Sequence, residues 1–122
     1  MKTSSLVLIP ATQFGTPSEN YNGTDTDFNG IPQKAAAYYS KGKDLQTVSW
    51  FLLNFLGTMT IEATLDTDAE FGNYFPVSTT IGDGITPVTN NGAANISGNF
   101  TWIRIVVTDF TDGNITKITL SY

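Results

Sequence analysis

Residues 46–65 read QTVSWFLLNFLGTMTIEATL, and the way this stretch divides decides the fold. In its second half Met59, Ile61, Ala63 and Leu65 alternate with Thr58, Thr60, Glu62 and Thr64. A period of two sends successive side chains to opposite faces of a strand, so 58–65 reads as a strand with one buried face and one Thr/Glu face. The first half, 47–56, is apolar almost throughout. Trp50 and Leu52 fall on one side, and Phe51, Leu53 and Phe55 on the other. A strand apolar on both faces has to be covered on both, by its own fold or by another chain. Gly57 separates the halves, and the expectation is two neighbouring strands that pair with each other.

A second strong signal runs from Phe100 to Tyr122. Ile103, Ile105 and Val107 alternate with Trp102, Arg104 and Val106. Asp112-Gly113 then offers turn chemistry, and 115–122 returns as the last strand of a closing hairpin. Ile115 is out of step with Ile118, Leu120 and Tyr122, which predicts a bulge or a strand start near Thr116. This hairpin is the expected packing partner of 58–65.

Weaker strands are expected at Ser4 to Ile9, stopped by Pro10, and at 74–80 (YFPVSTT), where Pro76 implies an edge or a bulge. In 33–40 (QKAAAYYS) the three alanines favour helix and Tyr38 and Tyr39 favour strand, and a strand leading into a turn at 41–44 is the expectation. Between them lie two stretches dense in Gly, Pro, Asn and Asp, 11–32 and 81–98, which read as long loops. A loop of the first one's length is often functional, and it is long enough to lie as an arm on a neighbouring subunit. Short strands, turn signals and no convincing helix give an all-β fold: one domain over 1–122, an antiparallel β-sandwich, jelly-roll-like, with two long loops.

Composition narrows the chemistry. The chain has 122 residues, no cysteine and no histidine. Ser-His-Asp, Cys-His and histidine-ligated zinc chemistry therefore cannot be assembled from it; carboxylate-only chemistry is left open by composition, but no enzymatic activity is expected. The net charge is -5 with 6 Lys+Arg. No basic stripe marks a nucleic-acid interface or an anionic lipid surface, and no stretch reaches the length of a membrane span. Charged residues make up 14%, against about 25% in an ordinary domain. The polar surface is built mainly of Thr, Asn, Ser and Gly.

Two groups of residues stand out as site candidates. Asp25, Asp27 and Asn29, followed by Gly30, repeat the first half of a calcium loop, with oxygen ligands on alternate residues. Ala36 stands where the bidentate acid belongs, so calcium is a possible ligand of an otherwise solvated turn. Tyr38, Tyr39, Trp50, Leu52, Tyr74 and Phe75 are the candidates for an aromatic interface, either with protein subunits or with sugar rings. Asp66, Asp68 and Glu70 read as a solvated acidic loop. Arg104, amid aromatic and apolar neighbours, reads as a cross-strand ion pair or a ring-stacking cation.

The segments GKDLQTVSWFLLNFLGTMTIEATLDTDAEFGNYFPV (42–77) and NISGNFTWIRIVVTDFTDGNITKITLSY (95–122) together resemble a module of tailed-phage virion proteins, found especially among phages of cyanobacteria and other aquatic bacteria. Its words are the TVSW stretch leading to the alternating strand, a loop ending in an aromatic, and the closing WIR…SY segment. The 11–32 stretch lies outside the resemblance. The resemblance implies a small β-sandwich that is a non-enzymatic part of a virion: a capsid decoration or cement protein, or a neck- or tail-associated subunit. It also implies capsid or tail proteins as partners, homo-oligomeric assembly and no obligatory cofactor. The alternative function is a carbohydrate-binding module for attachment to the host surface.

Overall fold

A computed structural model describes residues 5–18, 20–38, 44–78 and 80–122. The strands are Ser5–Ile9 (β1), Thr12–Gln13 (β2), Phe28–Asn29 (β3), Gln33–Lys34 (β4), Leu45–Thr64 (β5), Tyr74–Pro76 (β6), Val88–Ser97 (β7) and Trp102–Ser121 (β8). No helix forms among the described residues. The all-β, antiparallel class is as the sequence predicts. In place of two packed sheets, however, all eight strands belong to one hydrogen-bonded sheet.

The two expected hairpins are instead two long strands. Residues 45–64 do not turn at Gly57, and 102–121 do not turn at Asp112-Gly113. Each runs on for 20 residues, and they pair with each other from Thr47↔Ser121 to Thr64↔Trp102. β1 to β4 line the far edge of β8, while β6 and β7 line opposite halves of the far edge of β5. The turn chemistry makes bulges. Asn54 and Asp109 sit at φ 52 and 54, and Asn and Asp tolerate this left-handed region best among non-glycine residues. The register shifts around both, and again between Phe51 and Leu52, where β8 carries an extra residue at Thr116. Of the two readings of the phase break at Ile115, a bulge or a strand start, the structure has the bulge.

The bulges fold the sheet over. Ile105 and Ile118 would lie about 43 Å apart along a straight strand. Yet Gly30 N–H donates to the Ile105 carbonyl at 2.7 Å, and its neighbour Ile31 donates at 2.8 Å to Leu8, in β1 beside Ile118. Gln46 closes the other side. It is buried, and its amide oxygen accepts from Ala36 N–H while its nitrogen donates to the carbonyls of Asp44 and Ile96. The concave face is the core. Val48, Trp50 and Leu52 come from one half of β5, and Phe55, Met59, Ile61 and Ala63 from the other. The change from even to odd numbering across Asn54 is the phase change that a one-residue bulge imposes.

Residues 11–32 are not an arm. They fold back on the chain's own sheet through β2 and β3 and bury Tyr21, whose hydroxyl accepts from Gly15 N–H at 3.0 Å. The expected loop at 81–98 is likewise only partly loop, because 88–97 is β7. Asn and Gly there suggest turns, but the paired backbone of β5 imposes the strand, since strand preference depends strongly on context. The strand expected at 33–40 shrinks to Gln33–Lys34, and residues 39–43 lie outside the described residues. Among the described residues β6 pairs with β5 alone, an edge position, which is one of the two that Pro76 allows.

The true loop, 81–86, is set by Asp83. Its Oδ1 accepts from the N–H groups of Thr86 and Ile85 at 2.8 and 2.9 Å. These bonds, Thr86 first, hold the carboxyl below the ordinary aspartate value. A depressed folded-state value means that the carboxylate's stabilising effect is complete above the unfolded pKa, about 3.9, and is lost as pH falls through the folded value. NMR titration is expected to show the Thr86 and Ile85 amide resonances moving with a midpoint below the ordinary aspartate value of about 3.9. In Asp83→Ala that acid transition is expected to vanish from both amides.

Candidate interaction surface

The outer side of the β5/β7/β8 half-sheet carries Thr47, Ser49, Phe51 and Leu53 from β5. Opposite Phe51 stand Asn91 and Lys117, and opposite Ser49 stand Ala93 and Thr119. Hydroxyls and amides pair along these rows, Thr47 Oγ1 with Asn95 Oδ1 at 2.7 Å and Ser49 Oγ with Thr119 Oγ1 at 2.6 Å. Phe51 is 38% exposed and Leu53 47%, although both sit in the middle of a central strand held on two sides. Beside Leu53 the 11–18 segment, Asn114, Ile115 and Thr116 wall an open groove of about 370 Å³. Val7, also exposed, lies on the same outer face opposite Thr119.

The surplus apolar face of β5 is therefore the reverse of the expected one. Trp50 is 9% exposed and Leu52 3%, and both belong to the core, not to an interface. Phe51 and Leu53 hold the outer positions. Phe55, in step with them by counting, is carried inside by the Asn54 bulge. Phase alone marks two apolar faces and cannot say which one the curl encloses.

The other candidates lie apart from this face. Tyr38 meets Trp102 edge-on at 5.2 Å. Tyr74 lies under the Arg104 guanidinium, 3.9 Å from its ring centre, and its hydroxyl donates to the Ala69 carbonyl at 2.8 Å. Burial pushes the Tyr74 phenol up, against the opposing pull of Arg104, and Asp68 and Glu62 add to the rise. Phe75 stands at the rim of the concave side, edge-on to Phe100. Tyr39 is outside the described residues. With Trp50 buried and one face of Tyr74 under a cation, these rings do not form a shared stacking platform. Arg104 has the role the sequence suggests, donating to Glu62 Oε1 across the ladder at 2.8 Å.

The half calcium motif does structural work. Asp27 Oδ1 accepts the N–H of Asp109 at 3.0 Å, and the Thr26 carbonyl accepts that of Phe110 at 2.9 Å. Both bonds clamp the β8 bulge. Asn29 lies in β3 opposite Val106, and Asp25 N–H is held by Asn22 Oδ1. Among the described residues no group of three or more acidic, His or Cys side chains could hold a metal. Asp66 and Asp68 likewise cap their own turn, accepting from Asn73 and from Glu70 and Phe71.

The comparisons add no neighbour to this geometry: no family model, curated protein or solved structure matches the chain.

Proposed function

We propose that the protein is a non-enzymatic structural subunit of a tailed-phage virion, a decoration or tail-associated protein that docks onto capsid or tail proteins. The observation that carries the docking is the exposure of Phe51 and Leu53 on a central strand paired on both sides, beside an open groove and on a face whose other β5, β7 and β8 positions are nearly all uncharged. Adjacent apolar side chains held on a rigid, weakly charged surface suit a protein partner better than a small molecule. The sequence resemblance over 42–77 and 95–122 supplies the virion as the setting.

Co-sedimentation with purified virions that lack the protein tests this. The native chain is expected to pellet with the particles. Phe51→Asp/Leu53→Asp is expected to bind on the order of a hundredfold more weakly, as loss of a docking anchor would cause. Its melting temperature should stay close to native, because exposed substitutions cost little. Failure of the native chain to bind heads or tails, or undiminished binding by the double variant, would overturn the reading.

A further inference from the structure

β7 is a ten-residue edge strand, VTNNGAANIS, without one charged side chain and without proline. Among the described residues it pairs with β5 alone, and its side-chain hydrogen bonds also return to β5, from Thr89 to Asn54 and from Thr47 to Asn95. Among the described residues no other strand takes its far side, which presents a row of backbone donors and acceptors. Long unprotected edges recruit further strands, and proteins that must stay monomeric shorten them, charge them or cover them. The remaining edges here are managed in those ways. β6 has three residues ending in Pro76. β2, β3 and β4 have two each. β1 is covered, with its Leu8 and Val7 carbonyls taking bonds from Ile31 N–H and the Gln33 amide.

We propose that β7 is a self-association seam, pairing antiparallel with β7 of a second copy about a two-fold axis at Gly92–Ala93. Self-complementarity of the edge selects a second copy as the occupant. The chain carries a net charge of -5, so two copies repel at most approaches, but this edge brings no like charges together. A two-fold axis normal to the sheet also keeps outward residues opposite outward residues. With the axis at Gly92, Asn91 faces Ala93 of the second copy and Thr89 faces Asn95. With the axis at Ala93, Asn91 faces Asn95. Both registers set small or amide side chains together, and the half-sheet continues across the subunits. The seam deepens the assembly reading by naming a second copy of this chain as one partner, but its test needs no particle.

Sedimentation of the full chain over a range of concentrations reads the seam. The native protein is expected to dimerise. Asn91→Lys/Ala93→Lys clusters four ammonium groups across the axis in either register. It is expected to weaken dimerisation on the order of tenfold, from like charges directly opposed on paired strands. Thr24→Lys/Thr26→Lys makes the same change of charge on an exposed loop and is expected to leave dimerisation intact. Near-ultraviolet circular dichroism confirms the fold of each variant. A native chain that is monomeric throughout, or equal dimerisation by the β7 variant, overturns the seam. A monomer that still binds virions refutes the seam alone, whereas a β7 dimer that binds no virion refutes only the docking.

Discussion

Phe110→Ala is expected to remove about 3–5 kcal/mol of folding stability, the usual cost of emptying a buried aromatic site. Phe110 has no solvent exposure. The rings of Phe14, Tyr21, Phe28 and Phe55 surround it at centroid distances of 5.7, 5.2, 5.9 and 5.7 Å. Those neighbours come from the 11–32 segment and from β5, so this one side chain joins the returning segment to the bend of the sheet. Such a loss is large against the roughly 5–15 kcal/mol that holds a domain together. Urea unfolding measures it as a fall in midpoint at nearly unchanged slope. The 11–32 segment is expected to lose protection from hydrogen exchange first. A change below about 1 kcal/mol, the scale of ordinary surface substitutions and weak contacts, would show that the aromatic cluster does not hold the bend.

Gly113→Ala is expected to be at least as damaging, through the backbone instead of the core. Gly113 has φ 92, and an added Cβ would run into the Asn54 carbonyl and approach Phe55 Cα at 2.8 Å. The left-handed conformation alone costs a non-glycine residue about 1–3 kcal/mol. The rest of the penalty comes from forcing β5 and β8 apart where their bulges face each other. Gly15 provides the control, since its φ is 88 but nothing lies within 4 Å of its added Cβ. Gly15→Ala measures the conformational cost by itself. Gly113→Ala should exceed it by about 2 kcal/mol or more, in the range of overpacked sites, or abolish cooperative unfolding. Equal losses in the two variants would mean that the strands do not approach closely at the bend.

Much of the strand content is legible in the alternation of 58–65 and 102–107 and in the phase break at Ile115. The Glu62–Arg104 pair is also legible, as opposite charges on the polar faces of two strongly patterned strands. The candidate surface was legible only as an excess. Five apolar residues between Trp50 and Phe55 exceed what one face can bury, but parity assigns them to two faces without ranking the faces. β7 had no signal, because Val88–Ser97 reads locally as turn chemistry. The half calcium loop was legible as a cluster of oxygens, yet its Asp27 serves a backbone N–H contributed 82 residues away.

By itself, then, the sequence determines that this chain makes antiparallel β-structure, lacks the residues for histidine and cysteine chemistry, and holds more apolar side chains on β5 than a single face needs. Period and composition are local properties, and they survive any choice of partner. Only the tertiary structure decides that Gly57 and Asp112-Gly113 lie within strands, that Trp50 turns inward and Phe51 outward, and that β7 is a strand. A glycine or an Asp-Gly pair permits a turn and a bulge equally well. What selects the bulge is the ladder between β5 and β8, formed by residues up to 74 positions apart (Thr47 and Ser121), and no local window contains both strands.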